Sequence, residues 1–231
     1  NCTSVIANSE FTLKLLTKFN LHKTLLNKIY PGVSDLKNIK EKKISTITGS
    51  PIVLTLARLE KRKGHINVIK SIKLLKNEFK NIQYVIAGTG PELKNLKKEV
   101  KNSELEKNVI FLGNINDSEK KFIFSKTNLL VMPTIDESEK KSIEGFGIVY
   151  LESALYGIPS IASNVGGTPE AVLHNKTGII IKDMNKLYES IDELLSNNEK
   201  RKELGRQAQK RAIEDFKWDS VANKYSKVFK P

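Results

Sequence analysis

The sequence lacks the features that mark disulfide-rich, exported and membrane-spanning proteins. Its only cysteine is Cys2, so no disulfide can form within the chain, which suits a reducing compartment. No uncharged apolar run approaches the roughly 18 residues that a membrane span needs. The chain also does not open with the charged and apolar regions of a signal peptide. We therefore expect a cytoplasmic protein, which could work at the inner face of the membrane.

Patterns that hold metals or nucleic acids are absent too. His22, His65 and His174 are scattered without the spacing of metal ligands, and we assign them no catalytic role. Arginines do not alternate with aromatic residues, and no RNA-binding motif is present, which argues against a nucleic-acid partner. A fixed-period repeat is also missing, and this excludes solenoid folds.

What the chain has is a basic but otherwise ordinary composition. Its 231 residues, 39% hydrophobic and 28% charged, suffice for one large α/β domain, or for one domain and part of another. The net charge of +13 is spread over many lysines. Such a charge attracts the phosphates of nucleotides or lipids, although a solvated lysine-rich surface explains it equally well. Because patterned sequence begins at Asn1 rather than after a Met, we expect a fragment of a longer protein.

Short apolar runs alternate with amphipathic segments from Pro51 onward. Six runs read as strands, namely PIVLTLA, QYVIAG, NVIFLG, LLVMP, IPSIAS and GIIIK. Almost wholly apolar strands separated by helices are typical of a parallel sheet covered on both faces. We therefore predict an α/β fold with a Rossmann-like, doubly wound, six-stranded parallel sheet. The charged region from Lys186 to Lys230 reads as successive C-terminal helices.

The residues before Pro51 do not follow this alternation of strands and helices. SVIANS reads as a short strand that ends at Ser9, and Ser9 is a suitable N-cap for a helix in SEFTLKLLTKFN. The segment KIYPGVS predicts a turn at Pro31 and Gly32. The polar run LKNIKEKKISTITGS is a plausible linker to the first strand of the sheet.

The residues just after each strand are the place to look for chemistry, because parallel sheets bind ligands at the carboxyl ends of their strands. Arg58 follows the first predicted strand, and Lys63 precedes the helix that begins near Gly64. Two such cations could grip a diphosphate, although EKRK could equally be a solvated basic turn. The later GTGPEL lacks the third glycine of a dinucleotide fingerprint and follows the wrong strand, so a tight turn is the better interpretation.

Two acids bracket a glycine-rich helix start in EGFGIVYLE. Glu144 lies before this predicted helix and Glu152 inside it, near its third turn. A carboxylate can accept two hydrogen bonds from neighbouring sugar hydroxyls, although Glu152 alone would pass for an exposed helix residue. Gly166 and Gly167, after the fifth strand, suggest a close approach of the backbone to a ligand, or simply a turn.

The order of these motifs resembles one family. R-x4-K-G, G-x-G-P-E, F-L-G and E-x7-E, leading into ALYGIPSIASNVGGTPE, are similar to the carboxyl-terminal domain of family 4 retaining glycosyltransferases. The segment EGFGIVYLESALYGIPSIASNVGGTPEAV is especially similar to mannosyltransferases that modify phosphatidylinositol. The resemblance covers nearly all of Pro51 to Phe229 and implies one half of a GT-B fold. Residues 1–43 would then be the end of the amino-terminal domain plus a linker, and residues 44–231 the carboxyl-terminal donor-binding domain.

The resemblance also implies a role for each matched position. Arg58 and Lys63 would bind the diphosphate of the donor, and Glu144 would face its sugar. Glu152 would hold the ribose hydroxyls. The remaining donor-binding positions would be two near the base and five that approach the ligand through the backbone: Ile115, Asp117, Phe146, Gly147, Ile148, Gly166 and Gly167.

The implied reaction is transfer of a sugar, with retention, from a GDP- or UDP-sugar to a glycan or lipid. This chemistry belongs to glycan or lipopolysaccharide biosynthesis, and it requires no metal and no further cofactor. The acceptor domain would lie outside this sequence, so we expect the fragment alone to be inactive in transfer.

Other functions stay open at this point. One is a non-catalytic module that binds nucleotides or anionic lipid, and another is a nucleotide-sugar epimerase of the same architecture. A nicotinamide-dependent dehydrogenase would need the full glycine fingerprint, which is missing. The charged segment TIDESEKKSI could be a flap over the donor, but we favour an exposed insertion.

Overall fold

A computed structural model of the chain describes residues 4–19, 25–140 and 142–229. Its strands form one sheet of two parallel strands and one of six. The strands are β1 (Val5–Ala7), β2 (Leu26–Lys28), β3 (Ile52–Leu56), β4 (Gln83–Ala87), β5 (Val109–Gly113), β6 (Leu129–Met132), β7 (Ser160–Ser163) and β8 (Gly178–Ile181).

Helices follow most strands of the larger sheet, and three more end the described chain. They are α1 (Glu10–Leu16), α2 (His65–Leu75), α3 (Leu93–Asn102), α4 (Asp117–Lys126), α5 (Ile148–Ala154), α6 (Thr168–Ala171), α7 (Leu187–Ser196), α8 (Asn198–Phe216) and α9 (Trp218–Phe229). None of these helices is both long and apolar enough to cross a membrane, within the residues that the structure describes.

The order of the strands in the larger sheet is β5-β4-β3-β6-β7-β8, and all its pairs are parallel. The chain runs outward from β3 to β5, returns to β6 beside β3, and then runs outward to β8. Strand order reverses between β3 and β6, so a crevice opens beyond their carboxyl ends. The segments that leave β3 and β6 therefore face each other across this crevice.

Helices cover both faces of the sheet, as the apolar strands require. Val53 of β3 packs into a core cluster with Ile69, Leu96 and Ile191, which come from α2, α3 and α7. Its neighbour Leu54 packs on the other face, in the cluster that includes Phe122, Leu151 and Phe216 of α4, α5 and α8. Successive side chains of a strand point to opposite faces, so one short apolar strand serves both cores.

These observations confirm the predicted α/β fold and each of the six predicted strands. The segment GTGPEL forms the connection from β4 to α3. The Ser9 hydroxyl accepts a hydrogen bond from the backbone N–H of Thr12 at 3.0 Å, so its prediction as the N-cap of α1 was correct.

One predicted strand boundary was wrong. Strand β1, predicted to end at Ser9, ends at Ala7, because Ser9 is the N-cap of α1. Helix α2 ends at Leu75, although its apolar pattern continues to Phe79. Phe79 packs against the same core from a turn, in which its N–H donates to Leu75 O at 2.9 Å.

The structure also contains a strand that the sequence did not predict. Strand β2 lies in a polar segment and pairs with β1, with Val5 opposite Leu26. No helix or strand interrupts residues 29–51, which fits a linker. Before the predicted linker, Val33 N donates to Phe216 O at 2.8 Å, so this stretch contacts the end of α8. The domain boundary at residues 43 and 44 stays a prediction.

Candidate active site

A buried ionic cluster lies where the segments that leave β3 and β6 face each other. Glu144 is 8% exposed and Lys63 is 9% exposed. The Lys63 ammonium and the Arg62 guanidinium both contact Glu144 Oε2, the latter at 3.1 Å. Buried charges are tolerated only when they are paired, so this arrangement fixes all three side chains.

The turn between β3 and α2 presents these cations. Residues Lys61–Lys63 form a single 3₁₀ turn, which ends at Gly64 with φ of 72°. A Cβ atom at Gly64 would lie 2.2 Å from Pro133 O, so only glycine lets the turn pack against the segment after β6. Arg62 O accepts a hydrogen bond from Ile135 N at 2.7 Å and ties the same two segments together.

Arg58 lies at the surface of this cluster rather than within it. Its side chain is 77% exposed, and its Nη1 contacts Glu60 Oε1 at 2.9 Å. The other oxygen of Glu60 accepts from Arg62 Nε at 3.0 Å. The sequence predicted Arg58 and Lys63 as a pair, but their side chains are linked through a series of ion pairs that runs over Glu60, Arg62 and Glu144.

Sequence reasoning missed Arg62. In EKRK it reads as one more cation of a solvated turn, yet its side chain is only 15% exposed and it contacts two acids. The one signal available was its position directly before Lys63, which says nothing about which way the side chain points.

Helix α5 begins at Ile148, directly after Gly147, whose φ is 90°. Glu152 lies in the second turn of this helix rather than near the third, because it is the fifth residue of α5. The ring of Phe146 is buried and packs against Tyr30, with ring centroids 5.2 Å apart. Phe146 could therefore meet a ligand only through its backbone, whereas the Ile148 side chain is 47% exposed.

The two glycines after β7 pack directly against the backbone of residues 144–145. Gly167 N donates to Glu144 O at 2.9 Å. A Cβ atom at Gly166 would lie 2.1 Å from Glu144 O, and one at Gly167 would lie 2.0 Å from Gly145 O. The close approach predicted for this pair therefore includes the chain's own backbone, which positions Glu144 from its main-chain side.

A second ionic group connects α4 and α5. Lys120 Nζ contacts Glu152 Oε1 at 2.9 Å and Asp117 Oδ1 at 3.4 Å. Burial, the largest single influence, would lower the pKa of Lys120, but the hydrogen bonds and charges of Glu152 and Asp117 together outweigh it, and the pKa is raised. The acid predicted for the ribose and an acid predicted for the base thus share one lysine. Ile115 lies in the loop before this group and is partly exposed.

An open cavity of about 260 Å³ lies beside Glu144. Phe11 and Leu15 of α1 line one side, and Ile143, Val165 and Gly166 line the others. Helix α1 is held there by α6, since the Glu170 carboxylate accepts hydrogen bonds from the backbone N–H of Glu10 and Phe11 at 2.7 and 2.9 Å.

The segment TIDESEKKSI borders this cavity through Asp136, Ser138 and Ile143. All three of these residues and Glu139 are exposed, as an insertion at the surface would be. Lys141 lies outside the described residues.

Comparison with known proteins identifies the family of this chain. The family described as "Glycosyl transferases group 1" matches residues 37–211. The chain belongs to this glycosyltransferase family. It is 30% identical, over 176 residues, to a "GDP-mannose-dependent alpha-(1-6)-phosphatidylinositol monomannoside mannosyltransferase" of Mycobacterium tuberculosis, covering 75% of this chain and 46% of the relative. A Corynebacterium glutamicum enzyme, named for the monoacylated form of that substrate, is 26% identical over 95% of this chain and 60% of its own length.

Solved structures show the same fold. HepE from Anabaena, in complex with UDP and glucose, matches with a TM-score of 0.82 and 22% identity, covering 97% of this chain and 62% of HepE. A glycosyltransferase from Rickettsia africae matches with a TM-score of 0.83 and 20% identity, over 98% of this chain and 62% of that protein. These neighbours are GT-B glycosyltransferases, as the sequence predicted. The chain spans about half the length of the curated relatives it matches.

The glycosyltransferase chain thus places its predicted site residues at one edge of the sheet. Arg58 and Lys63 follow β3, Asp117 follows β5, and Glu144 and Glu152 follow β6. Because the strands are parallel, all these positions lie at their carboxyl ends. The roles that the resemblance gives to individual residues stay predictions.

Two of the three histidines of this glycosyltransferase lie within the described residues. His65 is buried, and neither ring nitrogen has a hydrogen-bond partner. Burial, together with the nearby Lys63 charge, lowers the pKa of His65 to about 4. His174 Nδ1 accepts from Ile180 N at 3.1 Å, and His22 lies outside the described residues. In the described part of the chain no group of acids, histidines or cysteines could hold a metal ion.

Proposed function

We propose that this chain is the donor-binding half of a retaining glycosyltransferase that uses a GDP- or UDP-sugar. The observation that carries the proposal is the ionic cluster of Glu144, Lys63 and Arg62, buried at the crevice between β3 and β6 and beside an open cavity. A charged diphosphate attached to a hydroxyl-rich sugar needs both cations and a hydrogen-bond acceptor within a short distance. This cluster supplies both.

The phosphate contacts would come from Arg58 and Lys63. Arg58 is exposed and held only by Glu60, so its guanidinium can turn to a phosphate and bind it through two N–H groups. Lys63 would add a point charge from the buried side. As the bond between the sugar and the diphosphate breaks, negative charge grows on the leaving group, and these cations would stabilise it.

Glu144 would accept hydrogen bonds from the donor sugar, and Glu152 from the ribose. The partly exposed Glu152 carboxylate has Lys120 on one oxygen, and two ribose hydroxyls could share the rest of its acceptor capacity. Backbone N–H groups at Phe146, Gly147 and Ile148 would contact the sugar and phosphates. Base contacts would come from Ile115 and Asp117, and the loop at Gly166 and Gly167 would complete the site.

In the reaction, the acceptor hydroxyl would attack the anomeric carbon on the face from which the diphosphate leaves. The bond to the diphosphate breaks, the new glycosidic bond forms on the same face, and the acceptor proton moves to the departing phosphate oxygen. This route gives retention without a covalent enzyme intermediate and without a metal.

The acceptor would be a glycan or a lipid. Two observations support a lipid or membrane-bound acceptor: relatives named for phosphatidylinositol mannosides, and the net charge of +13. A basic surface is attracted to anionic membranes, which would bring the enzyme to its substrate. The acceptor-binding domain would lie in the part of the relatives that this chain does not cover.

A thermal-shift screen against UDP, GDP, ADP and their sugars tests the proposal. A ligand that binds only the folded chain stabilises it by about 2.7 kcal/mol at 100 times its Kd, so one base should stand out. Lys63→Gln should remove the response, while Lys61→Gln, the same change at an exposed neighbour, should keep it.

Failure of every nucleoside diphosphate to shift the melting temperature would refute donor binding. Co-sedimentation with anionic vesicles that disappears at high salt would then favour the lipid-binding alternative.

A further inference from the structure

We propose that Arg62 is a positioning residue, which neutralises Glu144 when Lys63 turns toward the donor diphosphate. The inference rests on the proposed function, because it takes Lys63 as a diphosphate contact. Arg62 itself is assigned no contact with the donor. It would act through the carboxylate that it shares with Lys63.

Both cations contact the same oxygen of Glu144. Arg62 Nη1 lies 3.1 Å from Oε2, and the Lys63 ammonium also contacts this oxygen. The side chains of Lys63 and Glu144 are each 11% exposed, so water can replace little of a lost ion pair. These two neighbours are therefore the cations that pair the buried charge of Glu144.

Arg62 is held in place independently of Lys63. Its Nε donates to Glu60 Oε2 at 3.0 Å, and its backbone oxygen accepts from Ile135 N at 2.7 Å. A guanidinium anchored through one edge keeps its remaining N–H groups in a fixed plane. Lys63, in contrast, reaches Glu144 through a flexible stem with a single charge.

Because of this difference, Arg62 and Lys63 have different roles when the donor binds. The Lys63 ammonium cannot fully neutralise Glu144 and a diphosphate at once. When it moves toward a phosphate, Glu144 would become a buried and poorly paired charge, which is unfavourable. Arg62 prevents this by staying on Oε2. Without Arg62, the lowest-energy arrangement would keep Lys63 on Glu144 and away from the donor.

The charge of the whole group fits this assignment. It joins three cations, Arg58, Arg62 and Lys63, to two acids, Glu60 and Glu144, and so carries one excess positive charge. When Lys63 turns to a diphosphate, Arg62 is the cation of this group that remains on Glu144.

The test is calorimetric titration of the chain with UDP, GDP and the corresponding monophosphates. Arg62→Gln should weaken binding of the preferred diphosphate about tenfold or more, with a much smaller effect on the monophosphate. Adding Glu144→Gln should remove the effect of Arg62→Gln on diphosphate binding. The double variant should then bind the diphosphate within about twofold of Glu144→Gln alone. A merely structural role for Arg62 would not be rescued in this way.

Two further variants complete the design. Lys61→Gln removes one charge from the same turn at an exposed position and should leave diphosphate affinity within about twofold. Arg62→Lys keeps the charge, should fold if the glutamine variant does not, and should retain most of the affinity.

The inference is overturned if Arg62→Gln behaves like Lys61→Gln, or if the loss persists in the double variant. Loss of diphosphate affinity in Arg62→Lys equal to that in Arg62→Gln would overturn it as well. A wild-type chain that binds neither UDP nor GDP would refute the proposed function, and with it the premise about Lys63.

Discussion

At the scale of single residues, the two acids of the E-x7-E motif have different surroundings. Glu144 is buried against two cations, while the Glu152 side chain is 26% exposed and contacts one lysine. A buried, doubly paired carboxylate must keep a cation beside it when a ligand arrives. A partly exposed one can exchange water for ligand hydroxyls at small cost, as the predicted ribose contact requires.

Glu152→Ala should therefore weaken binding of the nucleoside diphosphate about tenfold and leave binding of free pyrophosphate nearly unchanged. The ribose contact is lost, whereas Arg58 and Lys63 are untouched. Titration with UDP or GDP and with pyrophosphate measures both. Glu189→Ala, on the exposed face of α7, is a matched control. Equal losses for the two ligands would contradict the ribose role.

The pKa of the single residue His65 affects how the stability of the fold depends on pH. Burial lowers its pKa to about 4 in the folded chain, below the value of about 6.5 for an exposed histidine. Between these two values the unfolded chain binds more protons than the folded chain. Stability is therefore fully present above about pH 6.5 and is lost as the pH falls toward 4.

We expect His65 to account for about 2 kcal/mol of lost unfolding free energy between pH 7 and pH 5. His65→Leu removes the titrating group and fills a site in which neither ring nitrogen is hydrogen-bonded. Urea unfolding at both pH values should show a flatter dependence for this variant. A variant with the same pH dependence as the wild type would show that other groups dominate.

At the scale of elements, caps set where the helices around the site begin. The Asn116 side chain accepts from Glu119 N at 3.0 Å, and Glu119 Oε2 accepts from Asn116 N at 3.2 Å, which is a complete capping box. This box fixes the first turn of α4, which carries Asp117 and Lys120. Helix α1 has the Ser9 cap and is also held by Glu170 from α6.

Asn116→Ala should destabilise the chain by about 1 kcal/mol, because α4 loses a hydrogen-bond acceptor at its start. It should also weaken nucleotide binding modestly, since Asp117 lies in the turn that frays. Urea unfolding and titration with the preferred nucleotide measure the two effects. Asn102→Ala, at the exposed end of α3, should change neither. An unchanged unfolding free energy in Asn116→Ala would show that α4 is fixed by packing alone.

At the scale of the whole molecule, strand order determines which segments meet at the candidate site. The reversal between β3 and β6 brings residues 58–64 and 133–147 to one crevice. These segments carry both the cations and the predicted sugar-facing acid. The chain covers 46% and 60% of the two mannosyltransferase relatives, so much of each relative lies beyond the region matched here.

We therefore expect the isolated chain to bind its nucleotide-sugar without transferring the sugar. Transfer needs an acceptor hydroxyl held beside the anomeric carbon, and positioning of this kind contributes a large part of catalysis. An assay with labelled donor and glycan or phosphatidylinositol acceptors should detect no product, while thermal shift on the same sample shows binding. Product formed by this chain alone would overturn the expectation.

Sequence patterns predicted the sheet correctly, for physical reasons that are local. The six strands follow from apolar runs of a few residues, and the Ser9 cap follows from a hydroxyl next to a helix start. Once the strands are predicted, the segments after them are known as well. These segments mark the carboxyl edge of the sheet, at which Lys63, Glu144 and Glu152 lie. Strand β2 escaped prediction because its polar residues are held by pairing with β1 rather than by their own pattern.

What the sequence by itself determined is therefore the order of elements and the identity of the charged groups at the carboxyl edge. Only the tertiary structure decided how those groups pair. Arg62 and Glu144 are 82 residues apart, and Lys120 and Glu152 are 32 apart, so no local pattern records either contact. Burial and ion pairing are properties of packed neighbours, and packing exists only once the sheet has brought distant loops together.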